Sequence, residues 1–424
     1  QAAPFARRAP RSDPRPPGRR PGDRGHHRHR EAPDQIDETV VAGLPPWCPC
    51  CGGELEDPDW VEQIQEELPI VRPRVTKFEI PIARCRTCGK RVQGRHPQQT
   101  SDAIAAASVQ LGPRALALAA SLHKELGLSL QKTARVLKDV AGITITRGGL
   151  CQALARLGTR CVPTYDALCR VGREAAVGSM DETGWRVNGR SAWLWVLVTA
   201  SVTVYAIRRG RGFEDAAQLL GEGFTGVLVR DGWAPYRRFV QAEHQTCLAH
   251  IGRRCHEMLE VAHGRAREIP RAVARIVEVA LWLREAHDHQ EIDEPEFELV
   301  RHALEIRLDA LLTRPTIGKP ANRRLLAHLQ RERESLFTFL RRPGVPATNW
   351  QAEQGLRPAV VNRKTWGGNR TWAGAATQER LMTILRSCRQ QALDPIHELA
   401  DLLRQPQPAL LPHLTLSGLG DRGG

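Results

Sequence analysis

Apolar positions along this 424-residue chain follow two different rhythms, and the change between them falls near residue 170. From about 101 to 168 they recur at three- and four-residue spacing, the mark of amphipathic helices. Ser129 is placed to cap a helix carrying Ala134, Val136, Leu137 and Val140, which Gly142 ends. After the short turn "ITI", Thr146 caps a second helix with Leu150, Leu154 and Leu157 on one face. Two short helices joined by a Gly-containing turn fit a helix-turn-helix, with Arg147 where a recognition helix would meet DNA. They fit an ordinary helical hairpin equally well.

Beyond residue 170 the apolar residues come in short runs. One predicted strand ends at Asp181, which Glu182 follows, and Asn188-Gly189 is a strong hairpin signal. "AWLWVLVTA", a turn at Ala200-Ser201 and "VTVYAI" then predict two more strands, and "GFEDAAQLLG" a helix. "GVLVRD" reads as a buried strand ending in Asp231. Three antiparallel strands, a crossover helix and a fourth strand parallel to the first would bring Asp181 and Asp231 to one sheet edge. Two close carboxylates repel unless a cation lies between them, so the pair implies a metal. Glu182, alternating away from Asp181 if the strand continues, reads as a supporting carboxylate.

Residues 244–257 predict a short strand feeding a helix, and 262–342 are helical throughout. In "ATNWQAEQGLRPAVVNRK", Asn349 can cap a helix whose first turn presents Glu353, a third candidate carboxylate. Arg357, Arg363 and Lys364 follow as phosphate-pairing candidates. Residues 378–404 form a closing helix or helix pair.

Charge adds a partner to this picture. The 61 Lys and Arg exceed the 47 Asp and Glu, a formal +14, and residues 1–30 alone hold nine Arg and two Asp. That Arg/Pro-rich segment predicts disorder, as a polyanion-binding arm or as a solubilising extension. No apolar run approaches the ~20 residues that span a bilayer, and no secretory signal precedes the domains, so a soluble intracellular protein is expected.

Among eleven cysteines, four are paired as Cys48-x-x-Cys51 and Cys85-x-x-Cys88, each pair followed by glycine. Two such knuckles make a four-thiolate structural zinc site. The pair Cys247-x-x-His250 supplies two ligands alone, a poor zinc site, and reads as local structure or DNA positioning.

The set "MDETGW", "RDGWAPYRRF", "CLAHIGRR", "NWQAEQGLRPAVVNRK" and "LDPIHELADLL" resembles the insertion-sequence-66 family of bacterial DDE transposases, over roughly residues 46–404. The resemblance implies an α/β fold: a ribonuclease-H-like mixed-sheet catalytic core with a helical insertion. A zinc-ribbon-like module and a helical, helix-turn-helix-like DNA-binding region would precede it. It implies a catalytic triad of Asp181, Asp231 and Glu353 holding two Mg²⁺ or Mn²⁺ ions, and a structural Zn²⁺ on Cys48, Cys51, Cys85 and Cys88. Arg147, Arg357, Arg363 and Lys364 would contact DNA. The leucine-rich coiled coil with which that family usually begins is not found here; the Arg/Pro tail stands in its place.

The expected organisation is a tail (1–45), a zinc module (46–95), a helical DNA-binding region (96–170) and the first part of the core (171–260). The helical insertion (261–345), the last part of the core with its C-terminal helices (346–404) and a second tail (405–424) complete it. Expected partners are double-stranded DNA, as terminal inverted repeats and target, a homo-oligomer assembled on it, and accessory element-encoded proteins, in the bacterial cytoplasm at the nucleoid and with no membrane. A catalytically silent domesticated DNA-binding protein and a nuclease without strand transfer are the competing readings.

Overall fold

The computed structural model describes residues 35–56, 59–100, 109–315, 319–405, 411 and 414. The Arg/Pro-rich segment and most of the C-terminal tail lie outside the described residues. The chain divides into two compact units, residues 1–70 and 71–424. That division falls inside the predicted zinc module, so each cysteine pair belongs to a different unit.

In the first unit the described residues form no helix or strand, and a tight turn organises the Cys48 knuckle. Gly52 N–H donates to Cys48 O at 2.8 Å, with Gly52 at φ 73°. The second unit opens with a hairpin of β1 (Ile82–Arg84) and β2 (Arg91–Gln93), paired antiparallel, whose connecting turn carries Cys85 and Cys88.

Four helices follow: α1 (Pro113–Ala120), α2 (Leu130–Ala141), α3 (Arg147–Arg160) and α4 (Val162–Arg173). The predicted boundaries of the middle two hold because their caps form. Ser129 Oγ accepts from Lys132 N–H, Gly142 adopts a left-handed φ of 64°, and Thr146 Oγ1 accepts from Gly149 N–H. Leu150, Leu154 and Leu157 are buried as a face of α3, whereas Val140 is exposed.

The sheet is built from β3 (Val177–Val187), β4 (Arg190–Val198) and β5 (Thr203–Arg208), then α5 (Phe213–Leu220), β6 (Val227–Arg230) and β7 (Glu243–Thr246). Its order is β5-β4-β3-β6-β7, with β3, β6 and β7 mutually parallel and β4 antiparallel to both neighbours. For the first four strands the topology is the one the apolar runs predicted, and β7 adds a fifth, parallel to β6, whose place in the sheet they did not give. One boundary differs: β3 does not end at Asp181 but continues six residues further. Rungs from Asp181↔Val196 to Val187↔Arg190 keep the ladder intact. Asn188 (φ 52°) and Gly189 (φ 71°) close it with the two-residue turn that suits the sheet's twist.

Alternation along β3 sends its side chains to two different cores. Met180 and Glu182 lie opposite Leu197 and Trp195, on the face covered by α4 and α5. Asp181 lies opposite Val196, on the other face. A later helix, Trp350–Trp366, covers that face by packing on Leu194, Val196, Val198 and Tyr205 of the sheet.

A helical insertion then leaves the sheet: α6 (Leu248–Val261), α7 (Glu268–Asp288), α8 (Glu294–Leu312), α9 (Pro320–Glu332) and the short α10 (Thr338–Arg341). It shares a core of its own with Val227 and Val229 of β6. The chain returns through α11 (Trp350–Trp366) and closes with α12 (Trp372–Gln390) and α13 (Pro395–Arg404). Among the described residues no helix is long and apolar enough to cross a membrane.

Candidate active site

Asp181 and Asp231 are neighbours because β3 and β6 run parallel in register. Ser179 pairs with Val229, and β6 ends at Arg230, so past Ser179 β3 loses its β6 neighbour while its pairing with β4 continues. Asp181 occupies the notch this leaves. Its Oδ1 accepts from the Glu182 N–H at 2.8 Å. Asp231 begins the loop after β6, and its Oδ1 accepts from Trp233 N–H at 2.8 Å, which fixes the carboxylate by its own turn.

Glu353 reaches this edge because α11 is anchored at three points. Ala352, Leu356 and Ala359, spaced as one helical face, pack on the sheet. Gly355 permits the close approach: a Cβ there would stand 3.1 Å from Val198 Cγ2, and its carbonyl accepts from Tyr205 Oη at 2.6 Å. The helix start is stitched to the strand. Asn349 Nδ2 donates to Met180 O at 2.8 Å and Asn349 N–H donates to Cys247 Sγ at 3.2 Å.

Asn349 therefore holds the N-cap position without capping through its side chain, contrary to expectation. Its amide is committed to the residue before Asp181.

The three carboxylates share one electrostatic neighbourhood. Asp181 is half-buried and its pKa is raised to about 7, first by burial, then by Glu182, Asp231 and Glu353, with the Glu182 N–H opposing. Among the described residues no three His, Cys, Asp or Glu side chains converge to metal-holding spacing, this triad included. Asp231 and Glu353 lie within reach of the Asp181 charge. Their donor set, carboxylate oxygen alone, is the chemistry that hard divalent cations take.

Glu182 points the other way and is fully enclosed. Arg211 Nε donates to Glu182 Oε1 and Tyr236 Oη to Glu182 Oε2, both at 2.5 Å. Burial outweighs these partners and keeps its pKa raised. Arg211 is in turn stacked between Trp233 and Trp193, 4.1 and 4.9 Å from their ring centres. The cluster ties the strand behind Asp181 to the loop behind Asp231.

Cys247 and His250 flank the same edge. Cys247 is buried at the end of β7, where its N–H donates to Arg230 O. Burial would raise its thiol, but His250 and the Asn349 N–H outweigh it and lower the pKa. Contact with Cys247 raises His250 against the effect of burial, and the charges of Asp231 and Glu353 add to it. His250 Nδ1 makes no well-aligned hydrogen bond, so the pair interacts through proximity and charge. His250 Nε2 lies 3.8 Å from Glu353 Oε1.

The expected DNA contacts divide. Arg147 is exposed at the start of α3, and Arg357 and Lys364 are exposed on α11. Arg363 is different: its guanidinium donates to Thr183 Oγ1 and Gly184 O, holding α11 against β3. Arg363 thus positions α11 through its Nη1.

Each cysteine knuckle is built to favour thiolate. Cys48 is lowered by the N–H groups of Cys50 and Cys51, and Cys85 is lowered to about 7 by those of Cys88 and Thr87.

Periodicity gave no signal for Arg211 and Tyr236, nor for a buried ion network behind Asp231. Arg230 Nη1 donates to Glu332 Oε2 at 2.6 Å, joined by Thr246 Oγ1 at 2.7 Å and by Arg237 at 3.0 Å on Oε1. Arg230 and Glu332 are 1% and 0% exposed. Glu332 stands 102 positions from its partner, beyond any local pattern.

Comparison with known proteins bears on this geometry. The family model described as "Transposase IS66 family" matches residues 108–377, which contain all three carboxylates and the insertion. Two uncharacterized proteins of Sinorhizobium fredii (strain NBRC 101917 / NGR234), y4qI and y4hP, are each 25% identical to the chain. The alignments cover 87% and 88% of the chain and 72% of each relative. A third from the same organism, y4jO, is 30% identical over 89 residues, 21% of the chain and 28% of the relative.

Proposed function

Because the chain belongs to the IS66 family of transposases, we propose that it is a DDE transposase that cleaves and joins DNA at insertion-sequence ends. The observation that carries this reading is that Asp181, Asp231 and Glu353, from two parallel strand ends and a returning helix, lie at one sheet edge within reach of one another's charge. A ribonuclease-H-like core fits the five-stranded mixed sheet with that edge.

Asp181, Asp231 and Glu353 would hold two Mg²⁺ or Mn²⁺ ions. Bound there, such ions activate an attacking oxygen and stabilise the leaving oxygen of a phosphodiester. The chain's own part is positional. Asn349 and Arg363 set α11 against β3, the Trp233 N–H orients Asp231, and the Arg211–Glu182–Tyr236 cluster holds the strand from behind. His250 lies beside Glu353 on the open side of the edge. Arg357 and Lys364 offer cations to the DNA backbone.

A structural Zn²⁺ on Cys48, Cys51, Cys85 and Cys88 and recognition by the α2–α3 pair with Arg147 complete the reading. The partners are terminal inverted repeats and target DNA, engaged by an oligomer of this chain in the bacterial cytoplasm.

The test is a strand-transfer assay with purified full chain, a labelled duplex carrying the element's end, plasmid target and Mn²⁺. Joined product is expected. Cutting without joining would assign a nuclease instead, and binding without cutting a silent DNA-binding protein.

A further inference from the structure

Four cationic or titratable side chains lie within reach of one another's charge beside the loop after Asp231, where the His328 ring packs on Gly232. On α9, Arg324, His328 and Arg331 are spaced as one helical face, and on α6 Arg254 stands one turn beyond His250. The His328 ring sits against Gly232, the residue after Asp231: a Cβ added there would stand 2.7 Å from His328 Cε1. The α9 face thus directly adjoins the catalytic loop.

Arg254 is half-buried, and its pKa is lowered first by burial and then by the like charges of Arg324 and Arg331. His328 is lowered by burial and by Arg254, Arg331 and Arg230, with Glu332 opposing. Arg324 and Arg331 are exposed. Among the described residues no carboxylate pairs with any of the three arginines. Glu332, the acid beside them, is already engaged by Arg230, Arg237 and Thr246.

Like charges held together without a counter-ion oppose folding, and a polyanion brought to them removes that cost. We propose that Arg254, Arg324 and Arg331 form a phosphate-binding patch on the insertion, which grips the DNA backbone alongside the cleavage site. The patch deepens the transposase reading and rests on it for the identity of the polyanion. Its position next to Gly232 places it to hold the strand on the Asp231 side of the edge. It supplies affinity and register, not base readout.

The experiment measures binding, not cleavage. A fluorescein-labelled duplex of about 30 base pairs of generic sequence is titrated with full chain between about 50 and 200 mM KCl. The variant Arg254→Ala/Arg324→Ala/Arg331→Ala should show a slope of log affinity against log salt shallower by about 2.7, because each lost phosphate contact removes about 0.9. Across that salt range the fall in affinity shrinks by about 40-fold. The corresponding triple Lys variant should keep the parent slope, since a phosphate contact needs a charge there. Arg271→Ala/Arg275→Ala/Arg307→Ala, equal in charge loss and elsewhere on the insertion, should also keep it. The exposed single variants Arg324→Ala and Arg331→Ala each read about 0.9 without touching the half-buried position.

A parent slope in the alanine triple, or an equal change in the control triple, overturns the patch. So does a parent that binds no duplex. A parent that binds with the full slope but joins no DNA ends overturns the transposase reading and leaves the patch standing.

Discussion

Asp181 and Asp231 each lie two residues beyond the same rung of a parallel strand pair, Ser179 opposite Val229. Parallel pairing in register is what makes two acids 50 positions apart neighbours. Burial at this edge, with the charges of Glu182, Asp231 and Glu353 added to it, raises the Asp181 pKa to about 7.

This has a measurable consequence for metal-free protein. The folded state holds the Asp181 proton to about pH 7, whereas the ordinary value is 3.8. Its contribution to stability is therefore fully present below about pH 4 and is lost as pH rises through 7. The shift sets a ceiling of about 4 kcal/mol, which solvent at this half-buried edge reduces to about 1–2 kcal/mol. In chelator-treated samples Asp181→Asn should be more stable than the parent at pH 8, with the difference gone at pH 4. Equal urea midpoints at pH 8 would remove the electrostatic account of this edge.

Glu353 is the member of the triad supplied by the returning helix, 122 positions beyond Asp231. Glu353→Gln, nearly isosteric and uncharged, should lower DNA cleavage by at least ~10²-fold while end binding persists. Glu296, exposed in the first turn of α8, serves as the control. Normal cleavage by the Glu353 variant together with loss in Glu296→Gln would move the third acid into the insertion.

The insertion is fastened to the β6 end by Arg230 and Glu332. Glu332→Ala leaves a guanidinium that is 1% exposed without its carboxylate, and should cost about 3–5 kcal/mol. Arg230→Met/Glu332→Leu, which removes both charges, should recover most of that loss. An unfolding midpoint unchanged in the single variant would mean that solvent reaches Arg230 after all.

Zinc is checked by composition. Full-length protein purified without chelator should carry about one Zn²⁺ per chain, and Cys85→Ser/Cys88→Ser should carry none. Absence of zinc in the parent, or full metal retention by the double variant, rejects the four-thiolate site.

Local chemistry determined much of this protein from the sequence alone. Ser129 and Thr146 fix helix starts through their side-chain oxygens, Gly142 fixes a helix end through its left-handed backbone, and Asn188-Gly189 fixes the hairpin because both residues tolerate positive φ. The apolar runs gave the order of the first four strands, and with a parallel fourth strand the approach of Asp181 and Asp231, since a crossover helix leaves few other ways to pair. The place of β7 beside β6 came only from the tertiary structure. Where β3 ended was not legible: residues 182–187 hold their place by pairing with β4, and no residue in that stretch announces it. The role of Asn349 was misread for the same reason, because its cap geometry yields to a bond with Met180, 169 positions away. Arg363, read as a phosphate contact from its charge, is held by Thr183 and Gly184. Which acid is enclosed, which arginine is paired and which is left to meet DNA depend on what surrounds each charge. Those surroundings come from distant segments, and only the tertiary structure brings them together.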